Sequence, residues 1–231
     1  MAKTRTLISI RALRTPRAAA VAGIIFAVFQ ITSLVLLRVN VPASPLDQGE
    51  WLAEGAGSIS FALSLMPFSA IAFIWFMGVL RDRVGHMEDQ FFSTLHLGSG
   101  LLYLGLTLAA VAIGGGLLTV YAFDPDLLLQ NGVYIFGRAT IYRLNNDYAI
   151  RMAGMHMIVL GTIWVRTQVM PRWLALVTYG VALVLLISVT FTLWLSLVFP
   201  AWVFVISLYI LILNYHFQNK NEMADGMTLG E

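Results

Sequence analysis

The sequence predicts an all-α fold: a polytopic integral membrane bundle of six transmembrane helices with both termini in the cytoplasm. Three observations carry this reading. Of 231 residues, 59% are hydrophobic and 11% charged, against about 25% charged in soluble domains. The apolar residues gather into long uncharged runs, one of them the 43 residues from Trp173 to Tyr215, and about 20 apolar residues suffice to cross a bilayer. The basic residues flanking those runs fall mostly on one side.

Residues 1–17 form a basic cytoplasmic segment containing Lys3, Arg5, Arg11, Arg14 and Arg17. Leu7, Ile8, Ile10 and Leu13 would let it lie along an anionic membrane surface as a short helix. The uncharged run 18–37 is 20 residues long, more than the roughly 7–15 apolar residues of a cleavable signal, which favours a retained anchor. Pro42, Pro45, Asp47, Glu50 and Glu54, with Gly55, Ala56 and Gly57, read as a solvated loop anchored at the interface by Trp51. The second span covers about 59–80. Pro67 in its middle lacks an N–H and should kink the helix, with Ser60 or Ser64 satisfying the freed carbonyl.

The third span, about 92–120, is rich in small residues. Ala110 and Gly114 form a small-xxx-small pair suited to close helix approach, and the Gly114-Gly115-Gly116 run equally marks a candidate helix end. Polar residues interrupt 121–147 too often for a comfortable span, so an interfacial helix or a segment folded back on the bundle is expected there. The fourth span covers about 148–165. The 43-residue uncharged stretch holds two more, about 173–190 and 197–215, with the turn between Thr190 and Pro200 because proline turns Phe199 away from helical geometry; a kinked helix starting earlier fits as well. Residues 216–231 form a polar cytoplasmic tail.

A net charge of +2 gives no reason to expect nucleic acid as a partner. The expected partners are the bilayer and a second copy or another membrane protein. Six spans put both termini on one side, where ten Lys and Arg residues collect against Arg38, Arg138, Arg143 and Arg151 on the other; the positive-inside tendency makes that side cytoplasmic, in the plasma membrane. Trp75, Trp164 and Trp173 then fall near the cytoplasmic interface. The absence of cysteine eliminates disulfides, thiolate nucleophiles, iron–sulfur clusters and covalent c-type haem. No Ser/His/Asp arrangement, HExxH or phosphate loop occurs, and no acid lies within a span, which argues against carboxylate proton relays and aspartyl proteolysis. No enzymatic activity, metal or resident cofactor is expected.

Ionisable groups within the membrane are the natural site candidates, and they are Arg151, His156 and His96. Arg151 is placed to snorkel or to pair with Asp147 four residues earlier, or to join Arg138 and Arg143 in an anion contact. Met152, Met155 and His156 share a helix face, a donor set that suits Cu(I), although methionine also fills gaps in packed helices. A bis-histidine haem would need His96 and His156 at one depth. At 1.5 Å per residue they sit about 7 Å and about 15 Å from the cytoplasmic ends of their spans, which argues against it.

The segment Gly78-Val79-Leu80-Arg81-Asp82-Arg83-Val84-Gly85 resembles the G-x-L-x-D-R-x-G loop between the second and third helices of major facilitator superfamily transporters. The resemblance covers eight residues. It implies that Asp82 caps a neighbouring helix, that Arg83 pairs across the loop to hold a gating state, and that a chain with half the family's twelve spans would dimerise. Here His86-Met87-Glu88 replaces the family's basic continuation. The chain also resembles six-span bacterial integral membrane proteins whose later helices open on Pro-Arg-Trp-Leu, here Pro171-Arg172-Trp173-Leu174, which implies a membrane address and no particular activity. Three functional classes follow: a transport-like protein, with a cavity reaching mid-membrane; a non-catalytic membrane subunit or assembly factor, with a solid bundle; and a Met/His metal or haem protein.

Overall fold

A computed structural model describes residues 2–42, 47, 49–84, 90–130, 132–168, 170–187 and 193–228. The described residues are helical almost throughout. In chain order the helices are α1 (Ala2–Asn40), α2 (Trp51–Glu54), α3 (Ala56–Val84), α4 (Gln90–Phe123), α5 (Pro125–Gln130), α6 (Val133–Tyr142), a π-helical stretch (Arg143–Ala149), α7 (Ile150–Thr167), α8 (Arg172–Ile187), a 3₁₀ turn (Leu193–Leu197) and α9 (Val198–Thr228). Five stretches among them are long and apolar enough to cross a membrane: 17–40, 56–81, 90–123, 133–167 and 194–215. Helix α8 is apolar but has 16 residues, and residues 188–192 lie outside the described set.

Several boundaries differ from the sequence expectation, each for a physical reason. The basic segment 2–16 continues directly into the first span as one helix. The triple glycine lies inside α4, because a long helix flanked by others tolerates glycine where no backbone break is demanded. The expected connection 121–147 is instead largely helical: α6, the π-helical stretch and α7 run on as one apolar rod from Val133 to Thr167. The helix thus begins well before Tyr148; Arg138 and Asp147 are buried and ion-paired, while Arg143 is exposed. Pro200 sits in the first turn of α9, where a missing N–H costs no helical bond, so Phe199 is helical after all. The tail expected from residue 216 continues the α9 backbone to Thr228.

Helix α3 is continuous through Pro67. Ser64 Oγ donates to the Phe61 carbonyl at 2.7 Å and Ser33 Oγ, from α1, to the Ala62 carbonyl at 2.6 Å. These hydroxyls bond the two carbonyls that precede Leu63, whose own carbonyl is the one Pro67 leaves without an N–H. Helices α1 and α3 are further joined by a buried Ser69 hydroxyl donating to the Gln30 side chain at 2.7 Å. Such polar contacts matter between helices because lipid supplies no hydrophobic drive to press them together.

The core is aromatic. The Phe73 ring of α3 meets Phe26 of α1 at 4.6 Å between centroids, Tyr103 of α4 at 5.9 Å, His156 of α7 at 5.4 Å and Phe199 of α9 at 5.6 Å. All five of these long helices thus converge on one side chain. Trp164, expected at the interface, is buried against Trp202 at 5.9 Å, whereas Trp75 and Trp173 are exposed. Phe61, Phe68, Ile71 and Leu176 also face outward, as lipid contact allows.

Close approach falls at glycines other than the predicted pair. A Cβ on Gly23 would overlap Ser207 Oγ and lie 2.8 Å from the Phe76 ring, so α1 needs glycine there to pack on both α3 and α9. Gly23→Leu is expected to destabilise the bundle by about 1–3 kcal/mol, the usual cost of overpacking. Reversible unfolding in detergent measures it, and wild-type stability in the variant would contradict this packing.

Candidate functional site

Helix α7 carries the first group of sequence candidates. His156 and His96 are both buried, and their rings stack at 4.5 Å between centroids with 30° between planes. The expected difference in depth is thus overturned: α4 and α7 are staggered, so their ends do not mark a common level. The pair still does not suit haem. Two imidazoles ligating one iron approach edge-on from opposite faces of a porphyrin, and rings in face contact leave no room for the macrocycle. His156 Nδ1 lies 3.1 Å from the His96 carbonyl, so that bond with the neighbouring helix orients the ring.

The sulfur beside this pair comes from α3. A Cβ on Gly100 would overlap Met77 Sδ and come 3.2 Å from His156 Nδ1, so glycine lets α4 admit both groups. Met152 and Met155 are half-buried and pack against the core. No group of three or more His, Cys, Asp or Glu side chains is placed for a metal among the described residues.

Arg151 donates to the Asp147 main-chain carbonyl, not to its carboxylate. The Asp147 carboxylate is taken by Arg143 at 2.6 Å. Arg138 lies elsewhere, so the expected triple-arginine contact is not assembled. In the loop motif, α3 extends through Val84, so Gly78 lies on a helix with open space around it. The Asp82 and Arg83 side chains and Gly85 lie outside the described residues, while Arg81 Nε donates to Ser93 Oγ at 3.1 Å.

A different site stands out: a pocket of about 100 Å³ between α1, α3, α4 and the α6–π rod. Its walls come from Leu34–Val41 of α1 and the adjoining turn, Ile59–Met66 of α3 and Thr107–Gly114 of α4. Seven residues of helix separate the outer members of each set, so the pocket is about 10 Å long at 1.5 Å per residue. These walls are largely apolar. Arg138, Tyr142, Asn145 and Asn146 of the α6–π rod, with Arg38 of α1, make one side of the pocket polar. Thr107 is halfway along α4. Ala110 and Gly114 line the pocket, and a Cβ on Gly114 would make ordinary contact with Leu63 of α3 and Ile141 of α6.

The π-helical stretch explains how Asn145 and Asn146 reach it. A wider turn rotates the residues that follow relative to an α-helical register, and such turns are frequent at functional sites. Asn146 Oδ1 accepts from Arg38 at 3.0 Å, and its amide donates to the Tyr142 carbonyl at 3.2 Å.

Beside the pocket, Asp47, Gly49, Trp51 and Leu52 of the segment read as a solvated loop form a clasp on α6, while Glu50 and Glu54 are exposed. Asp47 accepts from the Tyr134 hydroxyl, from Trp51 Nε1 and the Gly49 N–H, each at 2.9 Å, and from Arg138 at 3.1 Å. Arg138 also donates to the Pro42 carbonyl at 2.9 Å and stacks over the Trp51 indole at 5.2 Å. Trp51 is therefore a buried member of this network rather than an interfacial anchor. Gly49 has a φ of +82°, which glycine accepts freely.

Burial alone would raise the Asp47 carboxyl, but the hydrogen bonds from Tyr134 and Gly49 and the Arg138 guanidinium outweigh it and hold the pKa below the usual value. A depressed folded-state pKa means that this carboxylate stabilises the clasp above the ordinary carboxylate range and stops doing so as pH falls through the folded value. Amide exchange of residues 47–54, corrected for its intrinsic pH dependence, is therefore expected to accelerate below about pH 4. Asp47→Asn is expected to accelerate it at pH 7 by on the order of tenfold, or about 1.4 kcal/mol, and to abolish the acid step. An unchanged acid step in the variant would assign it to another group.

The chain matches no protein-family model, no curated protein and no solved structure at a significant level. Its functional reading therefore rests on the geometry of its own residues.

Proposed function

We propose that this chain is a six-crossing plasma-membrane protein of the transport-like class that binds a small amphiphilic molecule in the pocket between α1, α3, α4 and the α6–π rod. One observation carries the reading: a largely apolar pocket with one polar side penetrates the bundle to the midpoint of α4. A non-catalytic subunit that serves only as a contact surface calls for a solid bundle, and the stacked histidines favour no haem. Ligand sites are often apolar concavities between the helices of a bundle; this one, at about 100 Å³, is smaller than the roughly 300–1,000 Å³ of a drug-sized site and suits a slender occupant.

Six crossings require α8 to be the short one. Its 16 residues reach about 24 Å, close to the roughly 30 Å hydrocarbon core, and local thinning accommodates a mismatch of this size. The ten-to-four distribution of basic residues supports cytoplasmic termini. In that orientation Arg38 and Arg138 lie toward the extracytoplasmic side.

Photolabelling tests the pocket directly. A ten-carbon alcohol carrying a diazirine, applied to the protein in phosphatidylcholine nanodiscs, is expected to label wall residues such as Leu34, Leu63 and Val111. Gly114→Leu puts a side chain into the pocket where glycine leaves space toward Leu63 and Ile141, and it should reduce wall labelling at least fivefold. Label spread evenly over lipid-facing residues such as Phe61 and Phe68, unchanged by Gly114→Leu, would refute the site.

A further inference from the structure

Charge balance on the polar side of the pocket is uneven. Arg138 is ion-paired with Asp47. Arg38 is half-buried, faces the same pocket and makes one side-chain hydrogen bond, to the neutral amide of Asn146. No carboxylate lies within ion-pairing distance of it among the described residues. A guanidinium has five N–H donors in a planar fork that matches carboxylate and phosphate oxygens. Two arginines and one aspartate thus leave one positive charge beside an apolar slot about 10 Å deep.

We propose that the pocket takes an amphiphile with an anionic head, its carboxylate or phosphate oxygens on Arg38 and a hydrocarbon chain between α1, α3 and α4. This rests on the pocket being a binding site, as proposed above, and adds the chemistry of the occupant. Withdrawing an unpaired cation from water is costly, and an anion arriving on the ligand removes that cost. Asn145, Asn146 and Tyr142 stand beside Arg38 to complete the head-group contacts. A free fatty acid and a bilayer lipid with an anionic head group present the same chemistry to Arg38.

Competition against the photolabel separates these possibilities. Full-length protein in phosphatidylcholine nanodiscs is labelled with a ten-carbon diazirine carboxylate, while decanoate, decyl phosphate, 1-decanol or inorganic phosphate is added and compared at equal membrane-bound concentration. Decanoate and decyl phosphate are expected to suppress wall labelling at concentrations at least tenfold below decanol, and inorganic phosphate not at all. Arg38→Gln should abolish this preference while decanol still competes, and Arg38→Lys should retain it. Decanol competing as well as decanoate on the wild-type protein, a measurement independent of any variant's folding, overturns the anionic head but leaves the pocket intact. Absence of wall labelling with acid and alcohol alike overturns both. Suppression by phosphatidylglycerol nanodiscs alone assigns the head group to the bilayer; labelling that persists there and yields to decanoate assigns it to a free acid.

Discussion

Packing around the Phe73 ring is the constraint on which the rest of the structure depends. In lipid, helices gain little from burying apolar surface against one another, so van der Waals fit and a few hydrogen bonds decide how they meet. Phe73 supplies that fit at one point, meeting an aromatic side chain from each of α1, α4, α7 and α9. Offset and edge-on aromatic pairs add on the order of 0.5–1.5 kcal/mol each beyond simple contact. The His96–His156 stack belongs to this arrangement. Its imidazoles lie against Phe73 and Phe199 and tie α4 to α7, which is a sufficient structural reason for two buried histidines.

The pocket is a consequence of how unevenly the helices are held. Glycine at position 23 and the Ser33 and Ser69 hydroxyls draw α1 tightly to α3 along its length. Helix α4 meets α3 and α7 closely at Gly100 and Tyr103. Further along α4, Thr107, Ala110 and Gly114 are too small to fill the distance back to α1, and the gap stays open. The Asp47–Trp51–Tyr134–Arg138 network then fixes the loop beside the gap to α6. One arginine of the pocket is neutralised by that network and the other is left facing the ligand space.

Much of the architecture was legible in the residue order. Runs of apolar residues set the positions of the membrane-crossing stretches, because helix length and lipid contact are local properties of a segment. The 133–167 rod was missed because Arg138, Arg143, Asn146 and Asp147 look prohibitive in a span until their partners are known. The sharper misreadings were pairings. Asp47 with Arg138 and Arg38 with Asn146 are separated by about 90 to 108 residues, and no periodicity in either segment points to the other. A faint signal did exist: Arg38 lies at the end of the first span, where an arginine so near the hydrocarbon calls for a partner.

From its sequence alone this protein was determined to be a helical, lipid-solvated chain with a basic N-terminal segment and a strong asymmetry of positive charge. Tertiary structure decided which small residues bring helices together and which leave a void, since Gly23 and Gly100 are crowded whereas Gly114 and Ala110 border empty space. It also decided which arginine is spent on a carboxylate and which is not. The physical reason is that hydropathy belongs to each segment by itself, while close packing and charge pairing exist only between segments, once their relative stagger and rotation are set.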